Sequence, residues 1–523
     1  MDMDLAARIP SSDDIPGDFH FTPVAGRQFL SGKLQTWEGP TQPVYSPIPL
    51  REGKQPAAPL LLGSLPRLDR KIATDTVHIA ADAFDAGDGA WPTLSLEERA
   101  DVVRAFVDDL RPLRSSVAMH IMWEVGKVFE EAGNEFDRTL EYTLETIDAA
   151  LDLDKRERRD TSLQQVVGRV DLLPIGVALC VGPYNYPFYE TLTNAIPALL
   201  MGNTVIVKAP PQGGLLYHML LPLFAKHFPG GIVSVLFGEG EELLLPMMQS
   251  GLVSIFAFIG TSTTADALIA AHPTPHRLHL LLGLEAKNAA VILPDAPLDI
   301  TVNEVVKGAL AFNGQRCAAI KMVFVHEDIA EGFLTRVRSE LEEAEPGMPW
   351  EDVRCTPMIH SAHAEYLEQL LEDALSHGAV LQNPRGGERV CTLFRPALLT
   401  GVHEGMRLFH EEQFGPLIPL ILFSDETEPL DYIKHARYGQ QCSIFGTDPS
   451  VLRRMIKAAS RYVGRVNING KCQRGPDHFP FTGKRDSALG TVSIEEALRR
   501  FCISTVIATP EYPQNTELWR QLT

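Results

Sequence analysis

The chain has 523 residues, too many for one hydrophobic core, and its 45% hydrophobic and 22% charged residues are ordinary for a folded protein of two or three domains. A formal net charge of -20 opposes nucleic acid and anionic membrane surfaces as partners, and no apolar run approaches the roughly 20 residues that span a bilayer. The seven cysteines are odd in number and scattered, with no Cys-x-x-Cys pair, which argues against a disulfide framework and a structural zinc site; no metal is expected.

Met1 to Pro10 has no basic stretch followed by an apolar one, so a secretory signal is not expected and a reducing cytoplasm fits best. Residues 1–70, rich in Pro, Gly and Ser, read as an N-terminal arm with edge strands. From Asp75 to Leu153 the spacing predicts helices. Ser95-Leu96-Glu97-Glu98 fits a capping box, and apolar residues follow at Val102, Val103, Phe106, Val107 and Leu110. The charged stretch Asp154 to Asp160 reads as a solvated connection. Short apolar strands then alternate with helical segments: 177–181, 204–207, 232–236 and 254–258, each followed by Gly/Pro punctuation. That texture predicts a parallel, doubly wound sheet. A second alternating block starts near Ala289 and runs to about residue 480, and the tail holds a helix from Ile494 to Arg500 and a strand from Cys502 to Ala508.

Phe312-Asn313-Gly314-Gln315-Arg316-Cys317 is the hexapeptide that carries most chemistry. A lone cysteine is more often a small core side chain. Here the thiol follows a Gly-containing turn and an arginine and enters Ala318-Ala319-Ile320-Lys321, which reads as helical. A helix N-terminus and a cation both lower a thiol's pKa, giving the thiolate that attacks a carbonyl.

This hexapeptide resembles the nucleophile motif of the aldehyde dehydrogenase superfamily, and four other segments agree in order. They are Pro183-Tyr184-Asn185-Tyr186-Pro187, Val207-Lys208-Ala209-Pro210, Phe258-Ile259-Gly260-Thr261-Ser262 and Glu411-Glu412-Gln413-Phe414-Gly415-Pro416. The resemblance implies an α/β fold: a Rossmann-type cofactor domain (71–153 and 171–288), an α/β catalytic domain (289–490), and a small bridging and oligomerisation element (154–170 and 491–523). It also implies a homodimer or homotetramer. Cys317 would attack the aldehyde, and the Asn185 amide with the Cys317 N–H would hold the oxyanion. Lys208 would reach the cofactor ribose or 2′-phosphate, Gly260 and Thr261 would lie beneath the pyrophosphate, and Glu412 and Phe414 would hold the nicotinamide end. NAD-preferring relatives carry a glutamate three residues after the lysine; Pro211 stands there, which favours NADP and leaves NAD possible.

Gln473-Arg474-Gly475-Pro476-Asp477-His478-Phe479-Pro480-Phe481 closely resembles the corresponding stretch of non-phosphorylating glyceraldehyde-3-phosphate dehydrogenases. With Tyr186, the arginines Arg138, Arg316 and Arg474 would form a pocket for a small phosphorylated aldehyde, since guanidinium forks suit phosphate. The implied reaction is NADP-dependent oxidation of glyceraldehyde 3-phosphate to 3-phosphoglycerate.

One departure stands out. The family reads Glu-Leu-Gly-Gly-Lys, its glutamate acting as base for thioester hydrolysis, whereas this chain reads Gly283-Leu284-Glu285-Ala286-Lys287. Glu285, two residues on, would lie about 6.6 Å further along an extended segment on the same face, a candidate base. A structural carboxylate is the equal alternative. Other semialdehydes, acyl transfer to coenzyme A, or a silent member with a binding role stay open.

Overall fold

The computed structural model describes residues 3–53 and 55–522. Two large sheets form its frame, each built from the apolar runs seen in the sequence. The first runs in the order Ala488–Leu489, His279–Gly283, Val253–Ile259, Val177–Val181, Thr204–Lys208, Val233–Leu236, Gln28–Ser31 and Lys33–Thr36. Its five central strands are parallel, and antiparallel strands close both edges. Val177–Val181 and Thr204–Lys208 are buried throughout, because helices cover both faces of a parallel sheet and leave no polar side to alternate. One edge of this sheet comes from the N-terminal arm, the other from the far end of the catalytic segment.

The second sheet runs in the order Val380–Leu381, Ala397–Thr400, Leu417–Phe423, Ile320–His326, Asn288–Ile292, Gln441–Phe445 and Arg465–Ile468. A third, antiparallel sheet joins Cys502–Pro510 to Val166–Pro174 and Thr161–Leu163. Its apolar side chains Leu163, Val506 and Ile503 are 69%, 67% and 52% exposed. No helix among the described residues is long and apolar enough to cross a membrane.

The Ser95 capping box is present: Ser95 Oγ accepts from Glu98 N at 3.1 Å, and Glu98 accepts from Ser95 N at 2.8 Å. Two expectations need correction. The stretch Asp154 to Asp160 is solvated as expected but is not all connection, because the helix Phe129–Glu157 runs into it as far as Glu157. Lys155 and Arg156 suit the negative end of that helix, and Arg156–Glu495 and Arg499–Glu157 ion pairs, both 2.7 Å, tie it to the helix Ile494–Arg500. Second, Ala318 to Lys321 opens a strand, not a helix. Ile320–His326 fills the gap between Asn288–Ile292 and Leu417–Phe423, and sheet pairing overrides the local helical preference. A C-terminal helix, Pro513–Leu522, was not expected; Trp519 anchors it by donating to Asp160 at 2.8 Å.

Candidate active site

The C-terminal ends of the first sheet's parallel strands face a cavity of about 680 Å³, the usual place for a ligand in an open α/β sheet. Cys317 lies on its wall. The turn before it is strained: Phe312 and Asn313 have φ of 48° and 56°, and Gly314 has φ of 71°. A Cβ on Gly314 would meet the Ala309 and Gly415 carbonyls at 2.7 Å, so only glycine fits. Asn313 and Gln315 hold the turn from within. Asn313 donates to the Thr356 carbonyl at 2.9 Å, and Gln315 accepts from Ile359 N at 3.2 Å.

The Cys317 carbonyl accepts from Asn288 and from the Lys321 ammonium, both at 2.8 Å. Its backbone N–H donates to no group among the described residues. Because no helix follows, the expected helix-end stabilisation of the thiolate is missing. Burial pushes the thiol up, repulsion from Glu190 adds to this, and Lys321 and Gln440 pull it back only in part.

Asn185 arrives from the turn after Val177–Val181. Its amide donates to the Gln315 carbonyl at 2.8 Å, which aims it at the Cys317 turn and leaves its second hydrogen free. Sequence reading missed what holds this turn. Lys127 is buried, and its ammonium donates to the Asn185 carbonyl at 2.7 Å and to Glu135 at 2.5 Å. It also lies 3.7 Å from the centre of the Tyr186 ring. The other Glu135 oxygen accepts from Phe188 N and Tyr189 N, both at 3.1 Å, at the start of the helix Tyr189–Leu200. The only signal was Gly126-Lys127 following a helix.

Lys208 ends its strand and is 4% exposed; it does not itself line the cavity, which is reached by the following Pro210 and Pro211. Burial lowers it to about 8, with Glu239 raising it slightly, and it has no hydrogen bond or ion pair among the described residues. A buried ammonium without an acidic partner fits an anionic ligand. Pro211, Gly260, Thr261 and Phe414 line the cavity. A Cβ on Gly260 would strike the Phe258 ring at 2.4 Å, and Thr261 caps the helix Ser262–Ala271. These features fit a dinucleotide whose pyrophosphate rests on a helix start.

Two carboxylates sit differently from expectation. Glu412 accepts from Lys321 at 2.5 Å and from Ala286 N at 3.0 Å, so it is turned inward. Glu285 accepts from Ser262 N at 2.9 Å and from its hydroxyl at 3.4 Å. The strand His279–Gly283 stops short of Glu285. Glu285 lines the cavity, but its carboxylate is engaged in capping the helix that the pyrophosphate would use.

The three arginines line the cavity with Tyr186. Arg138 grips Asp477 through two bonds of 2.9 and 2.7 Å. Arg474 is buried and paired with Glu190; burial lowers its pKa, but Glu190, Tyr189 and Tyr142 together outweigh this and hold it above the ordinary range. Arg316 donates to the Gly308 carbonyl at 3.1 Å, and its buried Nε has no partner.

A model of the aldehyde dehydrogenase family matches residues 51–507. The chain belongs to the aldehyde dehydrogenase family. Its members are oxidoreductases that use a nicotinamide cofactor. The NADP-dependent glyceraldehyde-3-phosphate dehydrogenase of Streptococcus equinus is 30% identical over 461 residues, covering 87% of this chain and 94% of that one. The protein of the same name from Zea mays is 31% identical over 446 residues, covering 83% and 88%. A crystal structure of the NADP-dependent glyceraldehyde-3-phosphate dehydrogenase from Bacillus halodurans, complexed with NADP, aligns with a TM-score of 0.85 at 30% identity, covering 94% of this chain and 100% of that one.

Proposed function

We propose that the chain oxidises glyceraldehyde 3-phosphate to 3-phosphoglycerate with NADP, through a thioester on Cys317. The carrying observation is that Arg138, Arg316 and Arg474 share one cavity with the thiol, against a net charge of -20. Arg316 has no carboxylate partner among the described residues and is the cation of the three left available to a phosphate. The Asn185 amide and the unpaired Cys317 N–H supply donors where charge develops on the aldehyde oxygen. Bound NADP would supply the hydride acceptor. Lys208, with no acid three residues on, supports NADP over NAD.

Enzyme, glyceraldehyde 3-phosphate and NADP, without phosphate or coenzyme A, should form NADPH over many turnovers. Strict dependence on coenzyme A would replace this with acyl transfer, and no NADPH at all would make the chain a silent member. The pairing of Arg474 with Glu190 favours a second reading, a less charged hydroxyaldehyde. A higher kcat/KM for unphosphorylated glyceraldehyde would support it.

The domain boundaries drawn from the sequence are part of this proposal, as is a homodimer or homotetramer formed through the exposed three-stranded sheet. Val506→Lys should lower the sedimentation mass; an unchanged mass would remove that sheet from the interface.

A further inference from the structure

Three carboxylates line the cavity among the described residues: Glu190, Glu285 and Glu412. The place where relatives carry their hydrolytic base holds Gly283, so thioester release must draw on one of these or on no carboxylate. Glu412 is held by Lys321 and Ala286 N, and Glu285 by Ser262 at the helix start. His363, also on the wall, is turned to the Phe414 carbonyl at 2.8 Å on the cofactor loop.

Glu190 is placed differently. It stands five residues after Asn185, in the first turn of the helix Tyr189–Leu200. Arg474 holds its Oε2, and its Oε1 accepts from no group among the described residues. Of the charged groups near Cys317 it affects the thiol most, and it disfavours the thiolate. A carboxylate so placed hinders the first half of the reaction. The hindrance ends once the sulfur is acylated and neutral, and a fixed acceptor then faces the same cavity.

We propose that Glu190 is the general base that releases the acyl group. The assignment rests on the thioester reading above. Glu190 takes a proton from water as the water oxygen bonds to the thioester carbonyl carbon. Collapse of that adduct breaks the carbon–sulfur bond, the electron pair leaves on the Cys317 sulfur, and the proton held by Glu190 passes to that sulfur or to solvent. One water is consumed, and the products are the carboxylic acid and free enzyme.

The test is pre-steady-state NADPH formation with glyceraldehyde 3-phosphate. Glu190→Gln should keep a burst of one NADPH per site while steady turnover falls about 100-fold or more. Mass spectrometry should find Cys317 acylated, and hydroxylamine should restore turnover. Gly283→Glu should also rescue Glu190→Gln, because a Cβ at 283 meets Ile259 at an ordinary 3.4 Å. Wild-type steady turnover in Glu190→Gln, loss of its burst, or failure of both rescues overturns the assignment. A wild-type enzyme with no burst and no acylated Cys317 removes the thioester reading and the assignment together.

Discussion

The Cys317 turn and the segment Gly283–Lys287 both contribute to the wall of one cavity and are built on opposite plans. Around Cys317, Asn288 and Lys321 hold the carbonyl, Asn185 reaches in from a neighbouring strand end, and Lys127 holds Asn185 from behind. In the proposed reaction the free donors would meet the charge that develops on the aldehyde oxygen. Along Gly283–Lys287 the polar groups are spent on structure. Glu285 caps a helix, and Lys287 donates to the Glu411 carbonyl and to Gln413, both at 2.7 Å. Attack on an aldehyde needs fixed dipoles, and the turn supplies them in advance. Release needs a proton acceptor, and the carboxylate of this segment, Glu285, is engaged in capping a helix.

Breaking the first region should have the largest effect. Cys317→Ser should abolish the NADPH burst, a loss of about 10⁴-fold or more in acylation rate; a surviving burst would place the nucleophile elsewhere. Asn185→Ala should lower the burst rate by about 10²–10³-fold while its amplitude stays at one per site. Lys127→Met should act on folding as well, because it leaves Glu135 buried and unpaired. We expect a loss of about 3–5 kcal/mol in denaturant-unfolding stability, and an unchanged midpoint would show that Glu135 is relieved by other groups.

The cofactor side should respond more gently, and with pH. Lys208 loses its proton as pH rises through about 8, and an anionic ligand prefers the ammonium. NADP affinity should therefore be full below this range and weaken above it. In Lys208→Ala it should be about tenfold weaker and lose that pH step, as read by fluorescence titration; an unchanged step would assign it to another group.

Both regions were partly legible before the structure was in hand. The parallel strands announced themselves because burial on both faces demands unbroken apolar runs such as Val177–Val181. Cys317, Asn185, Arg316 and Arg474 stood in short motifs, and the structure brings them to one cavity together with Arg138. The helix expected after Cys317 was a local judgement, overruled by two neighbouring strands that needed a partner. Glu135 and Glu190 carried no local signal, since a charged residue on a helix normally faces water, and Lys127 had only its place in the short link after a helix.

What the sequence determined by itself was the family, the two-sheet architecture and the candidate nucleophile, because these depend on periodicity and on residues close together in the chain. Tertiary structure alone decided the charge environment. Glu190 lies 284 residues from Arg474, and Lys127 lies 58 from Asn185. Whether a carboxylate caps a helix, neutralises an arginine or faces a thioester depends on which distant group reaches it first. Coulomb and desolvation energies act through space, and no spacing along the chain encodes them.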